Sequence, residues 1–258
     1  MTLKLIVAST LAVGVASAAH AQDTYVSVSG GATFLNDSDN EGTFVGDFAT
    51  GEGTTIPAGT VLPDGTGVGW TTEFDTGWMV NGAVGRDFGW FRGEIEVGYQ
   101  SNGVDTHTGV TAAGTIPLDS EDAAVLITGQ DTNLGVTVGD LVAAGQGEVE
   151  TVFVMANAFL EYENTSPFTP YVGIGAGVGF VDVNYAPSAT TIIDDNSTEF
   201  AYQAMAGIGY EVTPNTTLFA GYRYRATLDA NVDASLFDAN FDIENRASTV
   251  EAGLRVSF

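Results

Sequence analysis

The sequence predicts an all-β protein, a transmembrane antiparallel up-and-down β-barrel of eight strands. Three observations predict it. The end of the chain, Val250 to Phe258, alternates without a break between apolar side chains and polar or small ones, and a period of two indicates a strand with two different environments. Seven further segments show the same alternation. The connections between the segments alternate long and short, as in barrels with four long extracellular loops and short periplasmic turns.

The chain begins with a segment typical of export signals. A basic start at Lys4 is followed by an apolar run from Leu5 to Val15 and by small residues that end in Ala19-His20-Ala21. This order predicts a secretory signal peptide over residues 1–21, because the apolar run is too short to span a bilayer as a helix. We therefore expect an exported barrel domain over residues 22–258, in the outer membrane of a Gram-negative bacterium.

Composition excludes several classes of function. The chain has 33 acidic residues against seven basic ones, and its formal net charge is −26. Such a chain does not bind nucleic acid through phosphate contacts. It contains no cysteine, so neither a disulfide nor a thiolate metal site is available, which fits an exported protein.

The strands follow from the alternating segments and from the turn residues between them. Each strand carries apolar side chains on one face and polar, charged or glycine residues on the other. Short turns are predicted at Asp87–Trp90, Asn164–Pro167 and Thr213–Thr216, the last because proline fixes φ and asparagine tolerates turn geometry. The predicted strands are residues 25–35, 74–86, 91–100, 150–163, 171–185, 200–212, 217–227 and 246–258.

The long connections are rich in glycine, aspartate and threonine and are predicted as loops. They cover residues 36–72, 101–147, 186–198 and 229–245. Within the second, Ala123–Thr128 and Leu134–Val138 are candidates for a hairpin that extends the barrel wall above the membrane. Aromatic residues near the strand ends predict two girdles. The upper girdle is expected at Phe74, Tyr99, Phe180, Tyr202 and Tyr224, and the lower one at Phe91, Tyr162, Tyr210 and Phe258.

A water-soluble eight-stranded barrel of the lipocalin type is the alternative fold. It would share the alternation, but its apolar face would point inward and its charges outward. Here one face is rich in Val, Ala, Leu and aromatic residues without charge, and the other combines charges with small glycines, as fits a crowded lumen. An arginine that faces lipid at mid-membrane costs roughly 2–4 kcal/mol, so the charged face is assigned to the lumen.

The lumenal face gathers acids and arginines. An eight-stranded barrel is only wide enough for its own side chains, and arginine–carboxylate pairs are geometrically matched. We expect a salt-bridged plug that replaces a hydrophobic core; the alternative is an ion path gated by the same pairs. The predicted lumenal charge network consists of Arg92, Glu94, Glu96, Glu161, Glu211, Arg223, Arg225, Glu251 and Arg255.

Four strand motifs carry a family resemblance: Met155–Ala158, Thr169–Gly177, Gly221–Tyr224 and Glu251–Phe258. They resemble the opacity-type outer-membrane barrels, and the rickettsial surface antigens and the membrane domain of outer membrane protein A are similar. The motifs cover wall strands and no loop. The resemblance implies a non-enzymatic, surface-exposed structural or interaction protein, adhesin-like or antigen-like, with a small porin or ion channel as the alternative. No peptidoglycan-binding domain is expected after the last strand.

An enzymatic site is not predicted. Outer-membrane lipases, lipid A acyl-editing enzymes and barrel proteases resemble one another in needing a histidine near the barrel rim, and no predicted strand contains one. After removal of the signal peptide the remaining histidine is His107, in the second long loop, where a lone histidine is more often solvated than catalytic. We therefore assign no catalytic residue, no cofactor and no metal ligand.

The sequence also suggests partners. The apolar belt calls for outer-membrane lipids and lipopolysaccharide, and the acidic loops, with their negative field, are candidates for divalent cations that bridge to lipopolysaccharide phosphates. Asp37–Gly42 resembles the start of a Ca²⁺ loop, but Phe48 occupies the twelfth position, where an acid belongs. The candidate signal for the barrel-assembly machinery consists of Val250, Leu254, Val256 and Phe258.

Overall fold

A computed structural model describes residues 24–162, 164–189, 191–234 and 239–258, so the predicted signal peptide lies outside the described residues. None of the helices in these ranges has the length and apolar content needed to cross a bilayer. The strands are β1 (Thr24–Leu35), β2 (Ser38–Phe44), β3 (Phe48–Ala49), β4 (Val61–Leu62), β5 (Gly67–Phe74), β6 (Gly77–Asp87), β7 (Phe91–Ala112), β8 (Ile116–Pro117), β9 (Gly147–Glu161), β10 (Phe168–Tyr185), β11 (Ile193–Thr213), β12 (Thr216–Thr227), β13 (Ala230–Asp233), β14 (Ala239–Ile243) and β15 (Arg246–Ser257).

Eight long strands of the described chain form a closed antiparallel ring. Their order around the ring is their order in the sequence: β1, β6, β7, β9, β10, β11, β12 and β15. The ring closes where β15 pairs with β1, from Tyr25 opposite Ser257 to Leu35 opposite Ala247. The strand number and the up-and-down order confirm the predicted fold class.

Side chains of the ring alternate between the outside and the lumen. On β10, Val172 and Ile174 point outward and are 54% and 70% exposed, whereas Tyr171 between strands β9 and β11 is buried. On β15, Val250 is exposed and Glu251 is buried. The apolar face is therefore the outer one, as a bilayer requires, and the lipocalin-type arrangement is excluded.

The three short turns lie where the sequence predicts them, and local hydrogen bonds explain two of them. The Asp87 carboxylate accepts a hydrogen bond from Gly89 N at 2.8 Å, and Gly89 has φ +87°, a conformation that costs glycine nothing sterically. In the second turn, Asn164 Oδ1 accepts from Ser166 N at 2.8 Å. Asparagine and aspartate favour turns because their side chains bond to the backbone two residues later.

Above the membrane the wall continues as a second tier, which we call the extracellular extension. It consists of β2, β5, β13 and β14, the outer ends of the ring strands, and the segments that connect β2 to β5 and β7 to β9. β5 pairs with β7 and β2, and β14 pairs with β2 and β13. The prediction that residues 36–72 and 229–245 are loops is therefore wrong for these four short strands.

The alternation of β2 was missed because its inward-facing residues are polar rather than apolar. Ser38 and Asn40 are both buried. Ser38 Oγ donates to Asn40 Oδ1 at 2.9 Å, and Asn40 Nδ2 donates to Thr72 Oγ1 at 2.7 Å. A strand whose buried side chains satisfy one another by hydrogen bonds has no hydrophobic period to detect.

Above the apolar belt, the band of outward-facing apolar residues, the outer face of the wall becomes polar and its inner face becomes apolar. On β10, Phe180 is the last large apolar residue that points outward, and the outward residue after it is Asp182. The inward Val181, Val183 and Tyr185 are fully buried. The interior of the extension contains an apolar cluster, which includes Leu35, Phe44, Val104, Val149, Val232, Phe241 and Ile243. Water surrounds this tier instead of lipid, so its apolar side chains pack inside.

The second long connection folds differently from the prediction. Ala123–Leu126 is a 3₁₀ helix and Val138–Val142 is an α-helix, α1, so the predicted hairpin is wrong. The Thr137 hydroxyl accepts from Asp140 N at the start of α1, and capping of this kind favours helix starts. The Asp122 carboxylate accepts from the backbone N–H groups of Ala124, Leu134 and Gly135.

Aromatic side chains border the belt at both ends, with one exception to the prediction. Phe74 was expected in the upper girdle but lies on β5, where it packs against the apolar cluster of the extension. The predicted girdle residues that are exposed on the outer face are Phe180, Tyr202, Tyr162, Tyr210 and Phe258.

Candidate functional site

Charged side chains fill the lumen within the apolar belt. Of the nine residues predicted for the lumenal charge network, the structure brings eight together in two groups. The periplasmic group consists of Arg92, Glu94, Glu161 and Arg255, and the central group of Glu96, Arg223, Arg225 and Glu251.

The periplasmic group is organised around Glu161 on β9. Glu161 Oε1 lies 2.9 Å from Arg92 Nε of β7 and 2.8 Å from Arg255 Nη1 of β15. Arg92 also reaches Glu94 at 3.1 Å. The Tyr25 hydroxyl of β1 donates to Glu94 Oε2 at 2.7 Å and accepts from Arg92 Nη1 at 2.9 Å. One connected group of side chains therefore ties four strands together across the lumen.

The central group is organised around Glu96 on β7. Glu96 Oε1 lies 2.8 Å from Arg223 Nη1 and 2.6 Å from Arg225 Nη2, both on β12. Arg223 Nη2 also reaches Glu251 Oε1 of β15 at 3.1 Å. Gln203 Oε1 of β11 accepts from Arg223 Nη1 and Arg225 Nε, each at 2.7 Å. All five side chains are buried, so each charge depends on these partners for the solvation that water would supply.

Glu211, the ninth predicted member, lies elsewhere. It is exposed at the periplasmic end of β11, beyond the girdle residue Tyr210 and beside the register shift between Glu211 and Thr213. Alternation determines the face of a residue but not its height along the barrel, so the prediction that Glu211 belongs to the network is wrong. The two groups together contain four arginines and four glutamates.

A small cavity lies among the charged side chains of the lumen. A cavity of about 30 Å³ is bounded by residues of both groups, among them Arg92, Glu94, Arg223 and Glu251, and by the ring of Phe219. One water molecule needs roughly 10–15 Å³ of such space, so the cavity has room for about two water molecules. The described lumen is a packed polar interior.

Comparison with known proteins shows the family. A family described as "Surface antigen" matches residues 68–257, which is more than half of the chain. The chain belongs to the surface antigen family. Major surface antigen 4 of Anaplasma marginale is 29% identical over 159 residues, 61% of this chain and 48% of that protein. Outer membrane protein PagN of Salmonella typhimurium is 25% identical over 135 residues, 46% of this chain and 56% of that protein. The chain therefore spans about half the length of these relatives.

Two solved structures are also similar to this chain. Neisserial surface protein A aligns with a TM-score of 0.46 at 16% identity, over 91% of this chain and 97% of that one. The outer membrane protein AlkL aligns with a TM-score of 0.44 at 15% identity, over 94% of each chain.

The protein is an integral protein of the outer membrane. Its closed ring pairs the backbone groups of each wall strand with both neighbours, which is the condition for strands to cross a bilayer. The apolar belt faces lipid and the charges face the lumen, and membership of the surface antigen family agrees with this location.

Sequence reasoning named the charges of the lumen and missed the neutral groups that connect them. Gln203 Nε2 donates to Asn157 Oδ1 at 2.6 Å, which links strands β11 and β9 beside the central group. The Phe159 ring centroid lies 3.9 Å from Arg92 Cζ, within the range of a cation–π contact. These side chains all have the inward parity, so the alternation that identified the charges was also the signal for them.

His107 is not a solvated loop residue, and that prediction is wrong. It lies on β7 inside the extension and is 3% exposed. Its Nδ1 lies 2.8 Å from Thr72 Oγ1, and its ring meets the Tyr185 ring edge-on at 5.0 Å. Burial lowers the pKa of His107 to about 4, so the imidazole is neutral at ordinary pH. It packs inside the extension, away from solvent.

The described residues offer no preformed metal centre. They contain no group of three or more His, Cys, Asp or Glu side chains that could hold an ion. Most of the segment that resembles the start of a Ca²⁺ loop, from Ser38 on, is part of strand β2, and its Asp39 accepts a hydrogen bond from Thr71 Oγ1 at 2.8 Å. An extended strand does not wrap its side chains around one ion, so the resemblance is confined to the sequence.

The last strand presents its candidate assembly signal on the outer face. Val250 and Phe258 are exposed, and Leu254 and Val256 are half-buried. β15 pairs with β12 on one side and β1 on the other.

Proposed function

We propose that this surface antigen is a non-enzymatic interaction protein, in which a structural plug fills the membrane lumen and the extracellular extension carries the binding surface. The observation that supports it best is the filling of the lumen. Four arginines and four glutamates are paired there, and the space left among them has room for about two water molecules.

The second candidate function is a small ion channel gated by the same pairs. A hydrated ion needs a continuous water-filled path, and a cavity of about 30 Å³ offers none. Opening a path would separate buried pairs such as Arg223–Glu96, whose charges compensate each other within the lumen. The packed state is therefore favoured over an open one.

Single-channel conductance distinguishes the two candidates. The protein is refolded without residues 1–21 and inserted into planar bilayers beside Arg223→Ala, with Tyr222→Phe on the outer face of the same strand as the control. We expect no stable openings of the wild type. Stable openings that change with Arg223→Ala but not with Tyr222→Phe would overturn the plug and establish the channel.

The proposed binding surface is the outer face of the extension, and its chemistry is acidic. The described extension carries one arginine, Arg246, which is already 2.8 Å from Glu244. Such a surface has a negative field that attracts cationic partners. The exposed acids that produce it include Asp39, Glu41, Glu73, Asp105, Asp194, Asp233 and Asp242.

Attachment of whole cells tests this surface. The antigen is displayed on a non-adherent Gram-negative host, and attachment to cultured animal cells is measured. The triple variant Asp39→Asn, Glu41→Gln, Asp242→Asn neutralises adjacent strands β2 and β14, and we expect it to attach less. The control neutralises Asp87 and Glu211 at the periplasmic end. Attachment of the wild type no greater than that of the empty host would rule out adhesion.

Three partners belong to the same proposal: the barrel-assembly machinery, lipopolysaccharide and divalent cations. Residues 1–21 act as the export signal, and the barrel-assembly machinery then recognises the C-terminal strand through Phe258. Lipopolysaccharide surrounds the upper girdle, and divalent cations bridge the lipopolysaccharide phosphates to the acidic extension. Titration of Ca²⁺ or Mg²⁺ in lipopolysaccharide-containing membranes should raise the unfolding temperature, and no change in that temperature would eliminate the cation bridge.

A further inference from the structure

The extension contains an apolar cavity that is separate from the lumen. Its volume is about 140 Å³, and it lies between segment 44–68 and segment 112–126. The side chains that define it include Phe44, Phe48, Ile56, Leu62, Ala112 and Val125.

The walls of the cavity offer almost no free polar group. The hydroxyl-bearing residues that line it are Thr50 and Thr60. Their hydroxyls donate to Pro57 O at 3.1 and 2.7 Å, so both are already bonded. A water molecule requires two to four polar partners to occupy a buried site. The cavity therefore has the character of a dry space, and a polar ligand would lose its own hydrogen bonds there.

Part of the cavity wall is exposed on the protein surface. Ile116 lines it and is 44% exposed, so the wall there is one side chain thick. Ile116 belongs to the two-residue strand β8, which pairs with the end of β7 at Ala112. Val61, next to the lining residue Leu62, is 54% exposed. Apolar side chains thus continue from the cavity wall to the outside.

We propose that this cavity binds one small, uncharged, apolar molecule, of the size of a single-ring aromatic hydrocarbon. Size supports this ligand class, because a dry cavity of about 150 Å³ lined by Leu, Ile and Phe accommodates benzene or xenon. Charge also supports it. Asp47, Asp64 and Glu52 lie on the segment that forms one wall, and their field disfavours anions such as fatty-acid carboxylates.

Methyl NMR of the protein in lipid nanodiscs tests the proposal with benzene and with xenon as probes. Ile56 and Ile116 report the cavity, and Ile174, which faces lipid, reports probe that has merely dissolved in the bilayer. We expect saturable shifts and benzene contacts at Ile56 and Ile116, with a linear, non-saturating response at Ile174. A response at Ile56 no different from that at Ile174 would overturn the proposal.

Three variants connect the signal with the cavity. Ala112→Leu fills it and should weaken binding by at least about tenfold, whereas Leu118→Ala enlarges it and should admit a two-ring hydrocarbon that the wild type rejects. Val142→Ala shortens an apolar side chain of the same cluster that does not line the cavity, and it should leave binding unchanged. If Ala112→Leu misfolds, the change in ligand size with Leu118→Ala decides. An unchanged size limit would contradict the assignment of the site.

Discussion

Glu96 Oε1 and Arg225 Nη2 meet in the lumen at 2.6 Å, although the two residues are 129 positions apart in the chain. The same carboxylate oxygen also accepts from Arg223 at 2.8 Å. One carboxylate on β7 thus compensates two guanidinium groups on β12, and Glu251 compensates only one of these. The central group therefore depends more on Glu96 than on any other of its acids.

Glu96→Gln should be among the most destabilising single changes in the lumen. The side chain keeps its shape, but Arg225 loses its only glutamate contact among the described ion pairs. Removing one partner of a buried pair costs about 3–5 kcal/mol. The measurement is urea-induced unfolding of the barrel in lipid vesicles. Glu211→Gln, at an exposed position, should change the free energy of unfolding by less than about 0.5 kcal/mol.

Similar stability of Glu96→Gln and wild type would show that the central group does not contribute through charge compensation. The hydrogen bonds of Gln203 to both arginines would then be sufficient to hold them.

Gly175→Ala should destabilise the barrel because there is no room for a methyl group on this face of β10. A Cβ at Gly175 would lie 2.0 Å from Asn157 Oδ1 and 2.9 Å from Gln203 Cγ. Overpacking of this kind costs about 1–3 kcal/mol. Gly93→Ala is the matched control, because its added Cβ would meet its nearest neighbour at 3.9 Å. Unfolding of both variants in urea is the measurement, and equal losses would contradict the steric explanation.

Ile174→Arg should locate the bilayer on the wall. Ile174 lies on the outer face of β10, halfway between the exposed aromatic residues Phe168 and Phe180. An arginine at the midplane of a barrel's lipid face costs about 2–4 kcal/mol, and one near the interface costs about 0–1 kcal/mol. Asn184→Arg, on the same face of β10 above the belt, should therefore cost little. A smaller loss at Ile174 than at Asn184 would place the membrane elsewhere.

Acidification should destabilise the extension through His107. Its pKa is lowered to about 4 by burial, whereas in the unfolded chain it is about 6.5. Between these values the unfolded state binds more protons, so stability is fully present above pH 6.5 and falls by up to about 1.4 kcal/mol per pH unit on acidification. The test is limited proteolysis of the extension between pH 7 and pH 5, where most carboxylates stay ionised.

His107→Phe removes the titrating group and keeps a ring against Tyr185. Its proteolysis rate should therefore lose most of this pH dependence. The same pH dependence in wild type and variant would exclude His107 as its origin.

Much of the membrane-spanning barrel follows from the sequence alone. On β10 and β15 the period-two alternation shows which side chains face lipid, because lipid outside and charge inside impose opposite chemistry on adjacent residues. The turn at Asp87–Trp90 was predictable because its signals are local, with a carboxylate and a glycine two residues apart.

Other features depend on contacts between distant segments. Strand β2 buries Ser38 and Asn40 against Thr72, and such polar partners carry no hydrophobic period. His107 is buried because Tyr185 and Trp70 come to it from other strands. Glu211 has a lumenal parity but stands below the belt, where its height is set by the registers of the neighbouring strands.

The sequence by itself determined the fold, the strand number and the side of the wall on which each charge lies, because these depend on a local period of two. The tertiary structure alone decided which arginine meets which glutamate, that the wall continues above the membrane around an apolar core, and that this core encloses a cavity. Those features depend on strand register and on height along the barrel, and both are properties of the closed ring.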